Sequence, residues 1–193
     1  RLRLWPRLAC ALAARAGGHS AEAAGASGAA YGRTHLCVFI PTTARTRKDA
    51  ALVGEALRTW ASPEVQQAAG AWVRFVHPGN GSDWGRHSLQ VPGDVDADYR
   101  HLPVRVLKLW EHLGLRLADE CEWYMKADPD TYINLIALSE RLSCFDSGSP
   151  LFLGAVHAAV PPRHLQEQWP ALFFGQGGCG YIVSRGLVAV AGE

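Results

Sequence analysis

The stretch EWYMKADPDTYIN, residues 122–134, places two aspartates on either side of a proline, between an apolar run and a segment with helical periodicity. If EWYMKA is a strand, Asp128 and Asp130 follow its carboxyl end, where open α/β sheets bind their ligands. Pro129 disfavours the α region for Asp128 and fixes its own φ, which predicts a stiff turn.

Two interpretations of these aspartates are open. Two hard carboxylates on a rigid loop suit Mg²⁺ or Mn²⁺, which proteins often bind through one or two carboxylates together with substrate phosphates. Alternatively, Asp130 is the N-cap of a helix predicted over TYINLIALSERL, residues 131–142.

The rest of the chain after His35 alternates apolar runs with segments of helical period. The predicted strands are HLCVFI (35–40), WVRFVH (72–77), EWYMKA (122–127) and LFLGAV (151–156). The predicted helices cover residues 48–60 and a segment after Pro103, and GYIVSRGLVAV (180–190) begins a further strand or helix. This alternation predicts an α/β domain with a mainly parallel central sheet flanked by helices.

Composition narrows the class of protein. The 193 residues are 48% apolar and 19% charged, as in a globular chain, and the net charge of +1 argues against a nucleic-acid partner. The five cysteines form no CxxC pair. Their odd number fits a reducing compartment, or an oxidising one in which Cys121 pairs with Cys144, or Cys179 with either, and a thiol is left over.

Residues 1–33 differ in composition from the rest. They carry four arginines before the first acid, Glu22, and then become rich in Ala, Gly and Ser. Their apolar run LACALAA is too short to span a bilayer, which takes about 20 residues. We interpret 1–33 as a low-complexity leader or stem, either the end of a signal or anchor region or a transit-like segment, and place the domain at 34–193.

The segment GQGGCG, residues 175–180, spells the G-x-G-x-x-G pattern of dinucleotide-binding proteins. It lies outside a first βαβ unit, and no acidic residue follows at the distance that would bind a ribose, so NAD binding is disfavoured. Glycines here instead predict a close approach of the backbone to a ligand or to a neighbouring strand.

Four motifs in order carry a family resemblance: CVFIPTTARTR…ALRTW, DADYRHLPVRVLKLWEHL, EWYMKADPDTYI and FGQGGCGYIVSR. Together they resemble the β-1,3-glycosyltransferases that include Fringe, and are most similar to the core-1 galactosyltransferases. The resemblance covers about residues 34–185. It implies a GT-A type nucleotide-sugar-binding fold in a single-pass type II membrane protein of the Golgi or ER lumen.

The resemblance also implies roles for particular residues. Asp130 would ligate Mn²⁺, or another divalent cation, at the diphosphate of a UDP-sugar. Asp128 would contact the ribose or sugar and contribute to the metal site. The remaining donor-binding residues would be Thr42, Thr43, Arg45, Lys126, Gly177 and Gly178.

Two features of the sequence depart from the family pattern. Pro129 replaces a middle aspartate, and no counterpart of the family's general base or of its metal-binding histidine is found up to Glu193. The catalytic residues are therefore unassigned, and the chain is expected to be the C-terminally incomplete, donor-binding part of the domain, with little turnover on its own.

The expected reaction is inverting, metal-dependent transfer of a hexose, galactose foremost, in β-1,3 linkage to a protein-linked glycan. The alternative is a catalytically silent homologue that binds a sugar or a partner, or an inactive fragment.

Overall fold

A computed structural model describes residues 34–42, 46–77, 84–91, 101–161, 163–168, 172–175 and 177–191. The strands are β1 (Thr34–Pro41), β2 (Ala71–His77), β3 (Ser88–Gln90), β4 (Cys121–Lys126), β5 (Phe152–Gly154), β6 (Val156–Ala159), β7 (Leu172–Gly175) and β8 (Tyr181–Ser184). The helices are α1 (Arg47–Arg58), α2 (Pro63–Ala68), α3 (Leu102–Arg116), α4 (Leu135–Leu142) and α5 (Arg185–Ala191), with 3₁₀ turns at Gly85–His87 and Arg163–Leu165.

Six strands form one sheet in the order β3-β2-β1-β4-β8-β5. The first four are mutually parallel, whereas β8 runs antiparallel to β4 and to β5. A separate antiparallel pair joins β6 to β7. The mostly parallel sheet flanked by helices confirms the predicted α/β class and is consistent with a GT-A-like fold.

Apolar side chains cover both faces of the sheet, because its central strands are apolar in nearly every position. On one face Val53 of α1 and Leu135 of α4 pack against alternate residues of the strands. On the other face Leu109 and Leu113 of α3 and Val188 of α5 do the same. The fully buried β1 run from Leu36 to Ile40 lies between the two layers, as expected for a central parallel strand.

Two predicted elements have different bounds in the structure. The helix predicted over residues 131–142 begins only at Leu135, because the Asn134 side chain caps it by accepting the Ala137 N–H at 3.1 Å. The strand predicted over residues 151–156 is divided between β5 and β6, which belong to different sheets. By contrast, residues 181–191 contain both a strand and a helix, and the buried Ser184 hydroxyl accepts the Leu187 N–H at their junction.

A disulfide joins Cys37 of β1 to Cys121 of β4, with 6.0 Å between the Cα atoms. The pairing of Cys121 with Cys144 or Cys179 is therefore wrong. The two strands are adjacent, and both cysteines face the layer formed by α3 and α5, so the bond crosses one strand spacing within the core. Cys179 is exposed.

Candidate functional site

Three segments converge at one edge of the sheet because of the strand directions. Parallel β1 and β4 both end there, which brings Thr42 close to the segment that follows Lys126. Antiparallel β8 begins there, so the residues before Tyr181 lie at the same edge. We call residues 127–131 the carboxylate loop and residues 177–180 the glycine loop.

The carboxylate loop is a hydrogen-bonded turn, since the Thr131 N–H donates to the Asp128 carbonyl at 3.1 Å. Pro129 occupies its second position, where the fixed φ of proline is favoured. The proline at the family's middle aspartate is thus compatible with a regular turn that keeps both outer carboxylates. Asp130 is exposed and, within the described residues, makes no hydrogen bond or ion pair. It does not cap a helix, so the N-cap interpretation is wrong.

Lys126, one of the predicted donor-binding residues, is unusual in being buried. Its side chain is 4% exposed at the end of a central strand. Its ammonium donates to Asp128 Oδ1 and, at 3.2 Å, to the Gly177 carbonyl. A buried ammonium is stable only when it is paired and hydrogen-bonded, which both contacts provide. The structure thus brings together three of the predicted residues, with Lys126 turned inward between two loops.

The glycine loop folds back on itself, with the Gly180 N–H donating to the Gly177 carbonyl at 3.1 Å. Gly180 has φ +84°, and a Cβ there would lie 2.7 Å from Met125 Cε and 2.9 Å from the Lys126 carbonyl. The predicted close approach of glycine backbone to a neighbouring strand is confirmed. Gly178 also belongs to this contact, because its carbonyl accepts the Thr131 hydroxyl at 2.7 Å.

A tyrosine and a tryptophan lie beside these loops. Trp110 Nε1 of α3 donates to the Tyr181 hydroxyl at 2.8 Å, and the two rings stack with centroids 5.8 Å apart. Burial raises the pKa of the Tyr181 phenol; the hydrogen bond from Trp110 lowers it, and the Asp128 carboxylate raises it further. Tyr181 is therefore a neutral hydroxyl within the field of Asp128.

The β1 end of the site is only partly described. Thr42 is buried, with its N–H donating to the Val76 carbonyl at 2.8 Å and its carbonyl accepting from Arg105 at 3.0 Å. The other two residues predicted there, Thr43 and Arg45, lie outside the described residues. These two hydrogen bonds fix the backbone of Thr42 at the end of β1.

Sequence analysis missed Arg105 as a structural partner of this edge. Its guanidinium is buried beneath the end of β1, where it holds the Thr42 carbonyl. The signal was present: Arg105 lies four and eight residues before Leu109 and Leu113, so a charged residue continues the buried stripe of α3. A buried charge is stable only when it is paired or hydrogen-bonded, and the Thr42 carbonyl supplies one such partner.

The side chains present fit a divalent cation that takes most of its ligands from elsewhere. Within the described ranges no three His, Cys, Asp or Glu side chains cluster as a metal cage. Mg²⁺-type sites commonly use one or two carboxylates with phosphate oxygens and water, and Asp128 and Asp130 supply that number. The same oxygens can also accept hydrogen bonds from sugar hydroxyls.

In the described part of the chain, no helix has the length and apolar character needed to cross a membrane.

Comparison with known proteins shows what the part of the chain that forms the site is similar to. Residues 100–191, which include α3, both loops and β8, match the family model described as Fringe-like. Human (Homo sapiens) beta-1,3-N-acetylglucosaminyltransferase manic fringe is 26% identical over 68% of this chain and 41% of its own length. A human beta-1,3-glucosyltransferase is 33% identical over 38% of this chain and 15% of its own length.

The chain thus spans less than half the length of the curated relatives it matches. The two relatives share the β-1,3 linkage in their printed names. Residues 100–191 of this chain are therefore similar to the Fringe-like family, and both matched relatives are β-1,3-glycosyltransferases by name.

Proposed function

We propose that this chain is the donor-binding part of an inverting glycosyltransferase that transfers a hexose from a UDP-sugar, in β-1,3 linkage, to a protein-linked glycan. The observation that supports this most directly is the carboxylate loop. It presents the exposed Asp130 at the carboxyl edge of the sheet, beside a glycine loop that lacks side chains bulky enough to block access.

Each residue has a role in the proposal. Asp130 holds a divalent cation, with Mn²⁺ as the expected one, and the free oxygen of Asp128 accepts a hydroxyl of the ribose or sugar. Gly177 and Gly178 form the wall against which the sugar lies, because glycine lets a ligand approach the backbone closely. Thr42, Thr43 and Arg45 border the base at the end of β1.

A divalent cation held by Asp130 would supply Lewis-acid neutralisation of negative charge on the diphosphate. The residues of this chain bind and orient the donor, and no residue of the chain is assigned as the general base.

The donor sugar is the least constrained part of the proposal. The motif similarity to core-1 galactosyltransferases favours galactose, whereas the matched relatives are by name N-acetylglucosaminyl- and glucosyltransferases. Competition among UDP-galactose, UDP-N-acetylglucosamine and UDP-glucose for the same site would rank the three donors by affinity. UDP-galactose is expected to compete best.

We also propose that the protein resides in the lumen of the Golgi or ER, with a membrane anchor in the full-length protein. The Cys37–Cys121 disulfide supports an oxidising compartment, since such bonds are rare where glutathione keeps thiols reduced.

The test of the proposed function is calorimetric titration of UDP into the chain with and without Mn²⁺. UDP is expected to bind only with Mn²⁺, and Asp130→Ala is expected to abolish that binding. Asp146→Ala is the matched control, because Asp146 is also an exposed aspartate in a short turn and is expected to leave UDP binding unchanged.

Binding of UDP that is independent of both Mn²⁺ and Asp130 would contradict the proposal. That result would favour the second candidate, a catalytically silent homologue that binds a sugar or a partner. The observation that favours this candidate is the small number of acidic ligands among the described residues.

A further inference from the structure

Lys126 does more at this site than lie beside the donor. Its side chain is 4% exposed, and both of its described hydrogen bonds are internal, to Asp128 and to the Gly177 carbonyl. In the β4 register it lies opposite Phe39 on one side and Tyr181 on the other, so apolar and aromatic neighbours surround its stem. An ammonium so enclosed has little room to bind a diphosphate directly.

The two contacts of Lys126 connect the carboxylate loop to the glycine loop. Lys126 and Gly177 are 51 residues apart in the chain. Gly177 O is also the acceptor for the Gly180 N–H, so Lys126 binds the carbonyl that closes the glycine loop. Thr131 adds a second connection between the same loops through the Gly178 carbonyl.

We propose that Lys126 is a positioning residue: it fastens the glycine loop to the carboxylate loop and neutralises Asp128, leaving Asp130 as the carboxylate that takes the cation. This deepens the proposed function and rests on it for the identity of the ligand. A carboxylate that already accepts from a buried ammonium has lost much of its attraction for a divalent cation, since the two positive charges repel each other. Its second oxygen still accepts a neutral hydroxyl.

The fastening is tested first in the unaltered chain. The three lysines are Lys48, Lys108 and Lys126. Ammonium protons of exposed lysines exchange rapidly with water, so proton–nitrogen correlation spectra near neutral pH are expected to show one protected side-chain signal, from Lys126. Three equally fast-exchanging ammonium groups would overturn the proposal.

The second test uses Lys126→Met, which keeps the length of the stem and removes the charge. Exchange of the Gly180 amide is expected to become roughly tenfold faster, as for loss of a charge-assisted hydrogen bond. Mn²⁺ alone is expected to bind at least about tenfold tighter, because removal of a neighbouring positive charge releases Asp128 as a second ligand. A role in stability alone would not tighten cation binding.

Two further variants serve as controls. Lys108→Met removes a lysine that pairs with Glu111 at 2.9 Å on an exposed helix surface, and neither measurement is expected to change. Thr131→Val removes the other connection between the two loops without altering the charge of the site, so it is expected to speed exchange in the glycine loop.

Unchanged protection of Gly180 in Lys126→Met would overturn the fastening, and unchanged or weaker Mn²⁺ binding would overturn the neutralisation of Asp128. If Lys126→Met does not fold, the ammonium signal of the unaltered chain decides. A wild-type chain that binds no Mn²⁺ would instead count against the proposed function, while the exchange measurements still decide the role of Lys126.

Discussion

Two turns of this chain each carry an aspartate and lie next to a glycine, yet they use the carboxylate differently. In the turn at 146–149, Asp146 Oδ1 accepts the Gly148 N–H at 2.9 Å and Oδ2 accepts the Ser149 hydroxyl at 2.8 Å. In the carboxylate loop, Asp128 accepts from a buried lysine, and Asp130 has no partner within the described residues.

The difference shows how a structural aspartate is distinguished from one available to a ligand. Both turns are closed by the same backbone bond, from the N–H of the fourth residue to the carbonyl of the first. What differs is where the carboxylate oxygens find donors. Those of Asp146 find them inside the 146–149 turn, whereas Asp128 accepts from the Lys126 side chain at the end of the preceding strand. Backbone conformation alone does not distinguish the two turns, so variants of the side-chain partners are needed to tell the two roles of aspartate apart.

The largest expected effect is that of Asp128→Ala on stability. It leaves the Lys126 ammonium buried without its counter-charge, and we expect a loss of about 3 kcal/mol, at the low end for a buried pair because the Asp128 side chain is 28% exposed. Urea denaturation measures this loss. The double variant with Lys126→Met is expected to lose less than the single one, and equal losses would contradict the charge argument.

Gly180→Ala is expected to have the next largest effect. Its φ of +84° and the contacts of the added Cβ with Met125 and the Lys126 carbonyl predict a loss of about 2 kcal/mol or more. Gly148→Ala is the counterpart in the other turn, where the atoms nearest to the added Cβ belong to side chains, Asp146 Oδ1 at 3.2 Å and Arg185 Nη2 at 3.8 Å. Similar melting temperatures for the two variants would show that the glycine loop is less constrained than we infer.

Thr131→Val is expected to cost about 1 kcal/mol, the usual contribution of one neutral hydrogen bond, because the Gly178 carbonyl loses its donor. Thr46→Val is a suitable comparison, since it removes a hydroxyl that caps α1 and lies outside both loops. Limited proteolysis of the glycine loop should increase for Thr131→Val only. Equal cleavage in the two variants would argue against the second connection between the loops.

The smallest effect is expected from Asp146 and only in acid. Hydrogen bonds from the Ser149 side chain and the Gly148 backbone lower its pKa below the ordinary value of 3.8. Because the pKa of Asp146 is lower in the folded chain than in the unfolded chain, the ionised carboxylate stabilises the fold at pH values above 3.8. That contribution is lost as the pH falls below 3.8 and through the folded pKa. Acid titration followed by circular dichroism should show a flatter response for Asp146→Asn below about pH 4, and parallel curves would refute this role.

Much of this comparison could be predicted from the sequence, because it depends on local signals. The apolar run EWYMKA and the proline after Asp128 were sufficient to predict a strand and a stiff turn at the carboxyl edge of the sheet. The α/β class followed from the alternation of strands and helices.

The remainder depends on contacts between distant residues. Nothing near Lys126 in the sequence indicates that the Gly177 carbonyl accepts a hydrogen bond from it. Likewise, nothing near Cys121 indicates that it pairs with Cys37. The predicted start of α4 was wrong for a local reason. Asp130 and Asn134 are both residue types that cap helix N-termini well, and the helix uses the downstream one, Asn134.

The bond between Cys37 and Cys121 also bears on how the chain folds. The two cysteines are separated by 84 residues, and closing so large a loop restricts the unfolded chain by about 4.5 kcal/mol in the chain-entropy model. The strands it joins end just before Thr42 and just before the carboxylate loop. The disulfide therefore removes much of the freedom that would separate these two parts of the site in the unfolded chain, so it favours assembly of this edge of the sheet before any ligand is present.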